Sequence, residues 1–293
     1  MFEFDLKESR FFSETSQRDV YCLQVFPLTG ASNGKTVLLF HGLGDHTGRY
    51  VWAFRLLVSL GYEVLGFDWP GNGKSEGVRG DMPVPEEVGP LLSEVVRHLG
   101  VGRPVGLLAH STGGFLSIPL IAMGHPLLAD LSWVWFSSPL LRPGHGQWEI
   151  KKRVAVALAE RFPRFTVSTG VKRSDCHHRP VEDRLDGTSE GVHSRVSLRF
   201  GAAALDLEDQ IPGMVDRFPP SLACLQTVGD MDPVCPPFYS RQFHDRIPGS
   251  RKALIWVRNG LHEPFLEIPS ARFFNSVRSW LLKSSCESET TSH

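Results

Sequence analysis

The stretch Leu107-Leu108-Ala109-His110-Ser111-Thr112-Gly113-Gly114-Phe115 constrains the fold of this chain more than any other. The apolar run from Val105 to Ala109 reads as a short buried strand, and the uncharged stretch from Ser111 to Met123 has a helical pattern. Between them lies a small-x-Ser-x-Gly turn. A strand that reverses abruptly into a helix brings two backbones almost into contact, so the flanking positions take small side chains. Ala109 and Gly113 supply them. Such a turn holds its middle residue, Ser111, in a strained conformation and leaves the hydroxyl exposed at the end of a sheet, where it can act as a nucleophile. Glycine is usual at the first small position, and the methyl group of Ala109 still fits there. Other strand–helix turns also carry Ser and Gly, so the motif gains meaning only from partners elsewhere in the chain.

The rest of the chain alternates strands and helices. Strand patterns run from Tyr21 to Val25, Thr36 to Phe40, Tyr62 to Asp68, Leu131 to Phe136, Leu222 to Val228 and Ala253 to Val257. Helical patterns run from Val51 to Leu60, Pro85 to Leu99, Tyr239 to Ile247 and about Ile268 to Leu282. A polar turn is expected over Gly30 to Gly34. From Leu140 to about Asp216 the alternation stops. Glu149 to Phe162 is a basic amphipathic helix pattern, Val171 to Glu190 is polar, and Val196 to Leu207 is helical again. Residues 140–216 therefore read as an inserted cap between a first core part (1–139) and a second (217–283), with a frayed polar tail over 284–293. The alternation implies an α/β fold, with a mostly parallel central sheet and helices on both faces. In such sheets chemistry collects beyond the carboxyl ends of the strands.

Composition removes several classes of partner. With 293 residues the chain can bury one large core, and its net charge of -1 gives no basic surplus for nucleic acid. No apolar run is long enough to span a bilayer, and the N-terminal Met1-Phe2-Glu3-Phe4-Asp5-Leu6-Lys7 lacks the regions of a signal peptide. The five cysteines are scattered without CxxC spacing, so neither a metal site nor a disulfide framework is expected, and a reduced cytoplasmic setting is. The sequence carries no signal for an oligomeric state.

A serine hydroxyl is a weak nucleophile near neutral pH. It needs a base to take its proton and a third group to orient that base. Asp232 lies just past the strand ending at Val228, beyond the turn that Gly229 starts and two residues before the apolar Val234. Asp230 is its near rival, and Asp232 meets the conditions better. His262 follows the last strand, in Asn259-Gly260-Leu261-His262-Glu263. Among twelve histidines a lone one means little, and a surface or packing histidine is the plain alternative. Position lifts His262, because it lies downstream of both Ser111 and Asp232 in the order nucleophile, acid, base. An oxyanion formed by acyl attack needs two N–H donors. The N–H of Thr112 stands at a helix N-terminus, and Leu43 in the glycine loop after Thr36–Phe40 is the second candidate. His41, Gly42, Gly44, His110 and Gly113 then shape the loops, with His41 buried and structural.

These motifs, taken as a set, resemble those of monoacylglycerol lipases and related lysophospholipases of the α/β-hydrolase superfamily. His41-Gly42-Leu43-Gly44-Asp45-His46 with Arg49-Tyr50 is similar to "HGxGEHxxRY". Asp68 with Gly71-Asn72-Gly73-Lys74-Ser75-Glu76-Gly77 and Arg79-Gly80 resembles "D-x-x-GHGxSxGxRG", with Asn72 in place of His. Ala109-His110-Ser111-Thr112-Gly113-Gly114 resembles "GHSMGG", and Ser137-Ser138-Pro139 the "SAP" or "ASP" before the cap. The likeness runs from about Gly34 to Leu282 and thins through the cap. It implies an α/β-hydrolase fold, a cap over the pocket and hydrolysis of acyl esters without a cofactor.

The cap, which would choose the substrate, matches the pattern least. Its helix sets Val154, Val156, Leu158 and Ala159 beside Lys151, Lys152, Arg153 and Arg161. One reading makes this a weak lipid-interface element; packing on the core is the commoner fate of such a helix. Trp133, Trp135 and Phe136 read as core. Three functional classes stand: a serine esterase or lipase on medium or long acyl esters, with a small-molecule acyl ester or lipid as its partner, an acyltransferase or peptidase on the same triad, and a non-catalytic binding module. Keeping Ser111, Asp232 and His262 together speaks against the last.

Overall fold

The structure is a computed structural model that describes residues 4–28, 31–147, 149–178, 191–264 and 271–289. Its centre is a sheet of eight strands among the described residues: β1 (Phe4–Ser13), β2 (Arg18–Pro27), β3 (Thr36–Phe40), β4 (Glu63–Phe67), β5 (Gly106–His110), β6 (Trp133–Ser137), β9 (Ala223–Gly229) and β10 (Lys252–Val257). Their spatial order is β1-β2-β4-β3-β5-β6-β9-β10. The hairpin β1–β2 is antiparallel and β2 meets β4 antiparallel; every pairing from β4 to β10 is parallel. The central parallel strands β3, β5 and β6 are buried on both faces, as their apolar runs require.

The two-residue period of the strands divides the core. Leu38, Phe40, Leu107, Ala109, Val134 and Phe136 face one cluster, covered by α2 (Pro85–Leu99), α3 (Thr112–Ala122) and α8 (Pro237–Arg246). Val37, Leu39, Leu108, Trp133 and Trp135 face the other, under α1 (Val51–Ser59) and α9 (Ala271–Glu289). The aromatic residues of β6 are thus core.

The chain between β6 and β9 forms α4 (Glu149–Arg161), β7 (Thr166–Ser168), α5 (Arg173–Cys176), β8 (Arg195–Ser197), α6 (Leu198–Glu208) and α7 (Ile211–Val215). β7 and β8 pair antiparallel, apart from the main sheet. The α4 helix packs on α6 with Lys152, Ala155 and Ala159 half-buried, while Val154, Val156 and Leu158 are exposed. Of that apolar set, Ala159 alone is turned inward, and Val154, Val156 and Leu158 are not packed on the core. The final helix runs on to Glu289 rather than ending at Leu282. The expected helix start at Ile268, part of the polar stretch (179–190), Gly30 of the early turn and the last four tail residues lie outside the described residues.

Candidate active site

Every predicted site residue sits at or beyond the carboxyl end of a parallel strand. Ser111 follows β5 with φ 50° and ψ -118°, a strained conformation for a residue with a side chain. Gly113 makes the turn possible: a Cβ there would collide with the carbonyl oxygens of Phe40 and His41. The turn is tied down on both sides, as Ser111 N–H donates to Ser137 O (3.0 Å) and Leu140 N–H to Ser111 O (3.0 Å).

Ser111 Oγ–H donates to His262 Nε2 across 2.9 Å, and His262 Nδ1–H donates to Asp232 Oδ2 across 2.9 Å. All three are buried. Asp232 is held by its own loop, because its Oδ1 accepts from Val234 N–H (2.8 Å) and Cys235 N–H (2.9 Å). Asp230, the rival acid, is exposed and contributes its backbone N–H to Val257 O. Burial opposes charge on His262, yet Asp232 overrides it and holds the imidazole well above the ordinary histidine value.

The glycine loop after β3 lies against the nucleophile. A Cβ on Gly42 would stand 3.1 Å from Ser111 Cβ and 3.6 Å from its Oγ, so only glycine leaves free space there. Leu43 follows and is half-buried against the core. Thr112 is the first residue of α3. His41 is buried with both ring nitrogens occupied: Nε2 accepts from Trp69 N–H (3.0 Å), which leaves the proton on Nδ1 to donate to Gly42 O (2.7 Å). Gly44 N–H donates to Asn72 Oδ1 (2.8 Å), so Asn72 holds the loop from the β4 side. His110 donates Nδ1–H to Ser137 O (2.9 Å); burial first, then the neighbouring His262, pushes its pKa down to about 3, so it stays neutral.

Asp45 and Arg49 stand in the sequence as motif residues without a visible role. The structure centres a buried ion network on them. Arg49 bonds Asp45 Oδ1 (2.6 Å) and grips Glu263 with two nitrogens (2.9 and 2.8 Å), and Tyr50 O–H donates to Asp45 Oδ2 (2.7 Å). Glu263 follows His262 directly, so one guanidinium joins the glycine loop to the histidine loop. The segment around α5 braces the same loop, as Glu263 N–H donates to Cys176 O (2.8 Å). On the other side His193 N–H donates to Gly44 O (3.0 Å). The spacing Asp45-x-x-x-Arg49 is the one signal of this network in the sequence; Glu263 carries none.

A family model described as "Serine aminopeptidase, S33" matches residues 31–269. The monoglyceride lipase of Mus musculus is 33% identical over 253 residues, covering 84% of this chain and 81% of that protein. An uncharacterized abhydrolase domain-containing protein of Dictyostelium discoideum is 27% identical over 256 residues, and there the match spans only 26% of the longer relative. Among solved structures, the monoacylglycerol lipase of Paleococcus ferrophilus superposes with a TM-score of 0.76 at 26% identity, covering 96% of this chain and 99% of that one. A soluble variant of monoglyceride lipase from Saccharomyces cerevisiae, in complex with a substrate analog, gives 0.72 at 22% identity over 97% and 96%.

Proposed function

The chain belongs to the α/β-hydrolase family described as serine aminopeptidase, S33, and from that premise we propose that it is a serine hydrolase of lipid-like carboxylic esters. Monoacylglycerols and lysophospholipids are the substrate classes. The observation that carries this reading is the unbroken hydrogen-bond chain from Ser111 through His262 to Asp232. As Ser111 Oγ attacks the ester carbonyl carbon, His262 Nε2 takes its proton, and Asp232 stabilises the imidazolium so formed. The N–H groups of Thr112 and Leu43 meet the oxyanion, the former aided by the positive end of α3. His262 then protonates the leaving alcohol, and a water deprotonated by the same ring releases the acid. His41, Gly42, Gly44, His110 and Gly113 shape the loops, and no cofactor enters the scheme.

The family description names a peptidase, and two observations favour the ester. Two relatives matched over four-fifths or more of their own length, the Mus musculus and Paleococcus ferrophilus proteins, are lipases by name. An aminopeptidase also needs a carboxylate to hold the substrate's ammonium group, and the two nearest His262 in the histidine and glycine loops, Glu263 and Asp45, are both bonded to Arg49.

Residues 140–216 act as the cap in this reading. Ile150, Val154 and Leu158 lie one helical turn apart on α4 and are exposed, with Phe162 and Phe165 exposed beyond them and Arg153, Arg161 and Arg164 alongside. That face suits weak contact with a lipid surface, where arginines meet head groups. No helix of the described residues is long and apolar enough to cross a membrane. Cys22, Cys176, Cys224 and Cys235 are free thiols, and a reducing, cytoplasmic setting is part of this reading, carried by the scattered cysteine spacing. The test is a substrate panel of long-chain monoacylglycerol, lysophospholipid, p-nitrophenyl acetate and an aminoacyl anilide. The lipid esters are expected to turn over fastest. Faster cleavage of the anilide would replace the reading with an aminopeptidase, and acyl transfer to an added alcohol outrunning hydrolysis would replace it with a transferase.

A further inference from the structure

We propose that Asp232, Cys235 and His262 together bind a thiophilic divalent cation, Zn²⁺ in the first instance, and that occupancy of this site switches the enzyme off. The ester mechanism uses Asp232 and His262 and has no part for Cys235. Yet the turn that wraps Asp232 Oδ1 places Cys235 at its end, with the thiol close to His262. One ligand atom from each of Asp232, Cys235 and His262 lies within 4.8 Å of the others, and all three residues are buried. Thiolate, imidazole and carboxylate are the three donor types that zinc takes, and the sulfur selects it over magnesium or calcium. Bond lengths of about 2.0–2.3 Å set such donors roughly 3–4 Å apart, so the cluster closes on an ion with side-chain shifts of about an ångström.

A second group, Asp45, His110 and Glu263, is equally tight, but the guanidinium of Arg49 already lies between its carboxylates. Among the described residues, no lysine or arginine pairs with Asp232, whose one ionic partner is His262, so a cation there displaces protons and not a fixed side-chain charge. Binding would release the thiol proton of Cys235 to solvent, together with the second ring proton where His262 is charged, and form metal–sulfur and metal–nitrogen bonds. If the ion takes His262 Nδ1, the remaining ring proton sits on Nε2, where it can no longer accept from Ser111, and the bond to Asp232 is lost; if it takes Nε2, Ser111 loses its base. Either outcome stops nucleophile activation, and the released proton makes inhibition tighten as pH rises. A chelator would then leave activity unchanged or raise it.

The inference rests on the ester-hydrolase reading for its effect on turnover, and on geometry alone for binding. The experiment therefore has two readouts on the full chain. Turnover of a short ester is measured against zinc chloride in a non-chelating buffer, for wild type and Cys235→Ser, each relative to its own metal-free rate. The zinc needed for half-inhibition should rise about tenfold or more in Cys235→Ser. In parallel, cadmium is titrated while its thiolate charge-transfer absorption is followed in wild type, Cys235→Ser and Ser111→Ala. The band should appear in wild type and Ser111→Ala and weaken in Cys235→Ser. An unchanged band in Cys235→Ser, equal zinc sensitivity in both forms, or no inhibition of wild type overturns the proposal. Failure of Ser111→Ala to lose turnover overturns the functional reading instead and leaves the cadmium result to be judged by itself.

Discussion

Ser111 has a positive φ that its side chain resists, and the surrounding bonds to Ser137 and Leu140 hold it there. Replacing it by alanine should therefore leave the fold intact and lower kcat by on the order of 10⁴–10⁶-fold, as loss of a triad nucleophile does. Asp232→Asn should cost far more activity than Asp230→Asn in parallel assays, because only Asp232 touches the imidazole; the reverse ranking would show that the loop register is wrong. The pH–rate profile follows from the sign of the His262 shift. Burial disfavours its charge but Asp232 outweighs burial, so the folded pKa lies above the ordinary 6.5. The neutral base then appears only as pH rises past that raised value. The acid limb of kcat/KM should have its midpoint above pH 6.5, and a midpoint below it would mean that Asp232 does not stabilise the imidazolium. At this scale the sequence was legible where a residue's neighbours in the chain set its role. The small flanks Ala109 and Gly113 mark the elbow, and Gly229 marks the turn before Asp232. Glu263 was opaque, because its partner Arg49 stands 214 positions away. Cys235 was opaque too, since its meaning comes from His262 in another loop.

The central parallel strands β3, β5 and β6 were legible as elements because both faces are buried and each reads as an apolar run. β1 was not, because only its ends are buried and its middle shows a polar, edge-strand pattern. The α4 helix illustrates a different ambiguity. An apolar stripe reports that something covers it and not whether the cover is protein or lipid. Its exposed Val154 and Leu158 give a direct test. Changing both to glutamate should lower activity on monoacylglycerol presented in vesicles several-fold and leave p-nitrophenyl acetate turnover nearly unchanged; equal loss on both substrates would assign α4 a supporting role. The segment around α5 should behave oppositely. Its backbone holds Glu263, beside His262, so shortening it should depress short and long esters alike. The inserted region is thus expected to divide into a substrate-facing helix and braces for the catalytic loops.

Across the whole molecule, the sheet order delivers Ser111, Asp232 and His262 from three strand ends to one place. Arg49 then locks two of the loops together inside the protein. Removing it in Arg49→Met would leave the Asp45 and Glu263 carboxylates buried without their cation, a loss of about 3–5 kcal/mol. Thermal or urea unfolding should show that loss, with kcat falling alongside as the histidine loop slackens; an unchanged midpoint would mean that water takes over the role of the guanidinium. Such long-range closure is invisible to periodicity, whereas alternation of strands and helices already implied the layered α/β architecture. The central claim is that Ser111 is the nucleophile activated by His262. Peptide mapping by mass spectrometry after reaction with a fluorophosphonate tests it most directly. The adduct should fall on Ser111, forming quickly in wild type and far more slowly in His262→Ala. An adduct on another residue, or labelling of Ser111 at the same rate without His262, would contradict the account.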